Sequence, residues 1–339
     1  MAILAFGTTL SEMHFEGLHD TEHFGTTVST AAIAPYVVEG IFIKLRGPET
    51  SSTDSMGFTL STPSSDFWVS FHTYGIISTS GNDRPPMEVF GNGKGLFRLM
   101  PTNGLFVIQY HNDTSYQTSG TSFGPLLDNT IIRWDFHVVI HDTTGTLTVY
   151  INGNEQTSTT FSAGDTLLRG ESVADEVRFA APENINVGSY LSACFVSDTD
   201  SRIIHYVQRV LDGAGTETDW VGAYTDIDEV GIDPDDFIQS GTTTEKATYT
   251  FAALPAALNT GFDVVGVGVS ARAAKGSASG PSNLQLAVRE NVTNGFSSSK
   301  ALSDFWAPYQ HMFPLNPDTT SAWTFAEADA AEVGVQAIT

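Results

Sequence analysis

Six carboxylates fall between Asp226 and Asp236 in "DIDEVGIDPDD": Asp226, Asp228, Glu229, Asp233, Asp235 and Asp236. A hard cation such as Ca²⁺ takes about six to eight oxygen ligands, so the stretch carries enough donors for one. Its order does not follow the Asp-x-Asp-x-Asp-Gly…Glu loop that wraps such an ion. A solvated loop between domains accounts for the same residues, and the sequence leaves calcium at 226–236 open.

The other reactive residue types point away from chemistry. His14, His19 and His23 could ligate a transition metal, but their spacing matches no zinc pattern. With Glu16, Asp20 and Glu22 interleaved they read as an N-terminal arm packed on a neighbouring subunit. His137 and His141 share a strand face, yet four residues of strand separate them by more than about 12 Å, too far for one metal. Cys194, in "LSACFV", reads as a small buried thiol, and a single cysteine excludes an internal disulfide framework. "GNGKG" at 91–95 holds the lysine of a phosphate loop without the following Ser or Thr and reads as a hairpin turn. The triplets at Asn112 and Asn291 match the glycosylation acceptor, with no secretory signal before them to make use of it.

Glycosidases built on β-sandwiches need two carboxylates projecting from one face, one as nucleophile and one as acid. "TDIDEV" comes nearest, but it falls outside the expected sandwich. Trp68, Tyr74, Tyr110 and Tyr116 could stack on the C–H face of a pyranose, whereas alternation places most such rings on buried faces. No catalytic, cofactor-binding or metal-binding residue is therefore assigned, no cofactor is expected, and the chain is expected not to be an enzyme.

Positioning falls to β-strands. In "WDFHVVIHDTTGTLTVYINGNEQTSTTF" the apolar residues recur strictly at two: Phe136, Val138 and Ile140, then Leu147, Val149 and Ile151. Asn152-Gly153 supplies the two positive-φ residues of a type I′ turn, so three consecutive antiparallel strands are predicted. Short alternating runs of this kind recur from Ala31 to about Tyr224 and predict two sheets packed face to face. Toward the C-terminus, Val265, Val267 and Val269 and then Leu284, Leu286 and Val288 predict a long hairpin. A brief helix over Thr324–Val333, stopped by Gly334, and a closing strand Val335–Ile338 complete the pattern.

The 339 residues carry 39 Asp and Glu against 15 Lys and Arg, a net charge of −24, which excludes nucleic acid as a partner in the absence of a basic patch. Thirty-one glycines and only 16% charged residues fit short strands joined by turns. The start "MAILAFGTTLSEMHF" has neither the basic nor the sustained apolar run of a signal or anchor, so synthesis in a cytosol and no membrane insertion are expected.

"WDFHVVIHDTTGTLTVYINGN" resembles the central hairpin of the concanavalin A-like, laminin-G-type jelly roll, a fold that serves lectins, adhesion modules, glycosidases and spacers alike. Asp226 to Thr339 is similar to a C-terminal module of tailed-bacteriophage virion proteins. The resemblance rests on "DIDEVGIDPDDFIQSGTTTEKATYTFAALPA", "VVGVGVSARAAKGSASGPSNLQLAVRENVTNG" and "NPDTTSAWTFAEADAAEVGVQAIT", and departs at "DDFIQSG", where a threonine-tyrosine strand is usual. It implies a structural component of the head or tail, made in the bacterial cytoplasm and located in the virion, in contact with other capsid or tail proteins. It also implies assembly as a homo-oligomer, a trimer above other states, and it implies no catalytic residues.

The resulting expectation is an all-β protein: an N-terminal arm at 1–30, a jelly-roll sandwich at 31–224, an acidic linker at 225–245 and a small β-rich module with one short helix at 246–339. Its expected function is structural, as a capsid decoration or tail protein. A carbohydrate-binding adhesin for a host surface polysaccharide is the alternative, and a polysaccharide-degrading enzyme ranks last.

Overall fold

The structure is a computed structural model of the chain. It describes residues 3–7, 14–16, 24–29, 40–45, 55–74, 87–102, 105–112, 114–123, 131–141, 144–160, 170–180, 189–204, 207, 209, 211–228, 236–254, 259, 263–277 and 280–339. The chain divides into two compact units, Met1–Val207 and Gln208–Thr339.

The first unit is the expected all-β sandwich. One sheet runs β13 (Asn154–Thr160), β12 (Thr146–Ile151), β11 (Ile131–Val139), β6 (Asp66–Tyr74), β15 (Ser189–Ser197), β4 (Gly40–Leu45) and β3 (Phe24–Ser29), with β1 (Ile3–Gly7) also on β15. The other runs β10 (Ser115–Phe123), β9 (Leu105–Asn112), β8 (Lys94–Thr102), β7 (Met87–Gly91), β14 (Ala174–Ala180), β5 (Ser55–Ser64) and β2 (His14–Glu16). Aromatic rings from the two inner faces interlock between them: Phe71 meets Phe179 edge-on at 5.1 Å, and Phe106 meets Trp134 at 5.4 Å. The strands predicted from Trp134 to Phe161 form β11, β12 and β13 in order, and Phe136, Val138, Leu147 and Val149 are buried between the sheets. Asn152 and Gly153 both adopt positive φ, at 50° and 79°, as do Asn92 and Gly93 in the "GNGKG" turn, at 51° and 70°. Cys194 is buried in β15.

The second unit holds a sheet ordered β16 (Leu211–Thr218), β17 (Lys246–Phe251), β23 (Glu332–Ile338), β19 (Asn283–Glu290) and β20 (Thr293–Phe296), with β21 (Lys300–Ala301) also on β19. A separate pair joins β18 (Val267–Ala273) to β22 (Ala307–Phe313). Their shared core contains Tyr249, Val269, Leu286, Phe313 and Trp323.

Four expectations change in detail. The division falls after Val207 because β16 pairs with β17, so residues 211–224 go with the second unit rather than the sandwich. Residues 3–7, 14–16 and 24–29 are strands paired to β15, β5 and β4 of the same chain rather than an arm packed on a neighbouring subunit. The runs at 267–273 and 283–290 are not one hairpin: β18 pairs with β22, and β19 with β23 and β20, because alternation fixes the buried face of a strand but not its neighbour. The helix, α1, is limited to Phe325–Ala330, opened by a capping box between Thr324 and Glu327. Gly334 is not its stop but a strand residue, where a Cβ would stand 1.9 Å from the Ala247 carbonyl oxygen.

Candidate functional site

Alternation turns Met87 and Val89 of β7, Phe97 and Leu99 of β8, Phe106 and Ile108 of β9, and Val177 and Phe179 of β14 inward, which puts Glu88, Arg98, Gln109 and Arg178 on the outer face of the sheet. Cross-strand register then lines them up. Arg178 on β14 stands opposite Glu88 on β7, Glu88 opposite Arg98 on β8, Arg98 opposite Gln109 on β9, and Gln109 opposite Thr118 on β10. The result is one row of donors and acceptors crossing five strands.

The row is held rigidly. The Arg98 guanidinium donates from Nε to the Gln109 amide oxygen at 2.9 Å and lies over the Tyr116 ring, 3.7 Å from its centroid. Tyr116 donates its hydroxyl to Glu88 at 3.2 Å. Arg178 binds both oxygens of Glu176, at 2.8 and 2.7 Å, and covers the Phe90 ring at 4.0 Å. Gly95 gives Tyr116 its place, since a Cβ there would meet the Tyr116 hydroxyl at 2.2 Å. Burial pushes the Glu88 carboxyl above its ordinary range, and Arg98, Tyr116 and Arg178 oppose that shift. Side-chain exposures of 24% for Arg98 and 23% for Glu88 leave edges of the row open to an incoming polar group.

On the outer face of the opposite sheet, the described rings around Trp68 are covered. Trp68 stacks flat on His137 at 4.4 Å and on Tyr150 at 5.7 Å, and Arg202, paired to Asp200 at 2.6 Å, covers the Tyr150 ring at 4.2 Å. Beneath them Asp135 is wholly buried, bound by Arg133 and by the Ser201 hydroxyl at 2.6 Å. Arg133 in turn donates to the carbonyls of Ser201 and Ile204, so the 201–204 segment is fastened down on this face.

Of the aromatics singled out from sequence, Trp68 is therefore a covered packing residue, while Tyr116 belongs to the outer row with its face occupied by Arg98. Tyr110 is half-buried, and the Tyr74 side chain lies outside the described residues. His14 sits in β2, whereas His19 and His23 lie outside the described residues. So do residues 229–235 of the acidic stretch. Asp226 accepts from the Ala223 amide at 2.8 Å. Among the described residues no three His, Cys, Asp or Glu side chains converge as a metal site. Glu88 and Glu176 do share one outer face, on adjacent strands rather than on the single strand searched in the sequence, and arginines engage both. Alternation marks Glu88, Arg98, Gln109 and Arg178 as outward; the register that joins them has no signature in the chain.

No protein-family model matches the chain, and no curated protein does. Solved structures give distant similarity of β-rich architecture. The globular domain of T. cruzi calreticulin is 10% identical with a TM-score of 0.41, over 58% of this chain and 88% of that one. Domain 4 of AbnA, an extracellular arabinanase from Geobacillus stearothermophilus, solved with arabinotriose, is 13% identical with a TM-score of 0.39, over 57% and 91%. The binding domain of botulinum neurotoxin serotype D/C is 13% identical with a TM-score of 0.38, over 97% and 90%. Likeness of this degree does not bear on what the chain binds.

Proposed function

We propose that this is a glycan-binding protein whose sandwich presents the row Arg178–Glu88–Arg98–Gln109–Thr118 to a polysaccharide. The observation that carries the reading is that row: fixed donors and acceptors, edges open, on one sheet face. Sugar hydroxyls both donate and accept, and guanidinium, amide and carboxylate edges in fixed alternation match them without losing side-chain entropy on binding. Binding rather than cleavage is supported by the engagement of both Glu88 and Glu176 with arginines. The setting we propose is the surface of a tailed-phage particle, as a structural and adhesive component assembled from several copies; the motif order from Asp226 to Thr339 supports it. A panel of bacterial surface polysaccharides tests the reading. The intact chain should bind a subset, Arg98→Ala should lose at least tenfold in affinity, and reducing ends should not accumulate. Equal binding by Arg98→Ala, or release of reducing ends, would overturn it.

A further inference from the structure

Trp134, Trp220 and Trp323 each bond their indole N–H inside the protein, to the Thr73 hydroxyl, the Glu245 carbonyl and the Phe313 carbonyl. Trp306 does not: it is 41% exposed, and among the described residues its N–H has no acceptor. Its ring neighbour among them is Phe237, 44% exposed, with the two centroids 6.1 Å apart and the planes at 60°. Two large rings thus meet at the surface of the second unit with about half of each in solvent.

Neither ring depends on the other for its place. Phe237 is set by its neighbours: Ile238 packs against the core, and Gln239 exchanges both backbone hydrogen bonds with Val221, each at 2.9 Å. Trp306 closes a loop fixed from several sides. The Tyr309 hydroxyl donates to the Ala301 carbonyl at 3.1 Å and accepts from the Ser303 amide at 3.2 Å, the Ser303 hydroxyl accepts from the Phe305 amide at 3.2 Å, and the Ser303 carbonyl accepts from the Lys275 amide at 2.8 Å. The pair is therefore ordered before any ligand arrives, which lowers the entropy cost of binding.

The surroundings specify the ligand. An aromatic face complements the apolar C–H face of a pyranose, and an indole N–H without a protein acceptor suits one of its hydroxyls. Asp236 directly precedes Phe237 and Asp304 stands two residues before Trp306, both exposed, so an acidic sugar is repelled and a neutral one is not. With Phe305 beside them, 82% exposed, the rings offer on the order of 300–400 Å² of apolar surface. That covers a sugar ring or two, and it is under half of the about 800 Å² per partner of a stable protein interface. A second copy of the chain, at −24, is also repelled.

We infer that the Phe237–Trp306 pair binds a neutral pyranose, stacked by its C–H face with the Trp306 N–H donating to a hydroxyl. This site lies in the second unit and stands whether or not the row in the first binds glycan.

The test titrates cellopentaose, whose equatorial substituents leave C–H bonds on both faces, and its C6-carboxylate counterpart into the full chain and into Arg98→Ala, read by calorimetry. Cellopentaose should bind both proteins saturably and more tightly than the carboxylate form. Trp306→Ala and Phe237→Ala, changes at exposed positions, should each weaken it about tenfold. Trp306→Phe, which keeps a ring and removes the donor, should give an intermediate loss and should abolish the blue shift in tryptophan emission that cellopentaose produces in the intact chain. The inference fails if cellopentaose does not bind, or if the carboxylate form binds as tightly. It fails also if binding is lost in Arg98→Ala and kept in Trp306→Ala, which would return the sugar to the row in the first unit, or if Trp306→Ala changes the oligomeric state seen by light scattering, which would assign the rings to an interface between copies.

Discussion

Arg98 lies face-on over the Tyr116 ring at 3.7 Å, at the point where Gly95 leaves room for the Tyr116 hydroxyl. Gly95→Ala would displace that hydroxyl, breaking its bond to Glu88 and loosening the stack. The stability cost is about 1–2 kcal/mol, one hydrogen bond and one cation–π contact, because a side-chain tip rather than backbone must move. Polysaccharide binding should fall at least tenfold while thermal melting shifts by only a few degrees. Unchanged binding in this variant would separate Tyr116 from the site.

Asp135 and Asp200 each pair with an arginine two residues away, and burial separates their consequences. Asp135 is wholly buried, so Asp135→Ala leaves the Arg133 guanidinium without its anion and should cost about 3–5 kcal/mol. Asp200→Ala removes a pair about a third exposed and should cost under about 1 kcal/mol. Chemical denaturation of the two variants side by side checks the contrast.

Tyr249 gives the second unit an alkaline limit. Burial, with Asp226 adding to it, pushes its phenol up to about 12. An unfolded tyrosine ionises near about 10. Its contribution is therefore intact below about pH 10 and is lost as pH rises toward 12, at up to about 1.4 kcal/mol per pH unit. The difference in denaturation midpoint between the intact chain and Tyr249→Phe should be flat from pH 7 to 9 and should grow in favour of Tyr249→Phe above 10.

Gly334 and Gly93 are glycines for different reasons. A Cβ at Gly334 would meet backbone of the neighbouring strand at 1.9 Å, so Gly334→Ala must part β17 from β23 and should cost about 1–3 kcal/mol or more. At Gly93 a Cβ meets nothing within 4 Å, and only the positive φ of 70° opposes it, at about 1 kcal/mol. Thermal melts of Gly334→Ala and Gly93→Ala should differ accordingly.

The period of two in "WDFHVVIH" and "GTLTVYI", with Asn-Gly between strands, determined the hairpins, their turn type and the rings that fill the sandwich. These are local matters, set by the pleat and by which residues tolerate positive φ. The order of strands within the sheets was decided only by tertiary structure. Val269 and Leu284 alternate alike, yet belong to different sheets, because burial of a face does not choose a partner. The same limit hid the outer row: residues as far apart as Glu88 and Arg178 become neighbours through a register that nothing local encodes. Alternation put most of the candidate sugar-stacking rings on buried faces but did not say what would cover Trp68; His137 and Arg202 reach it from other parts of the chain. Sequence fixes what a side chain can do and the face it takes; packing between distant segments decides whether it is free to do it.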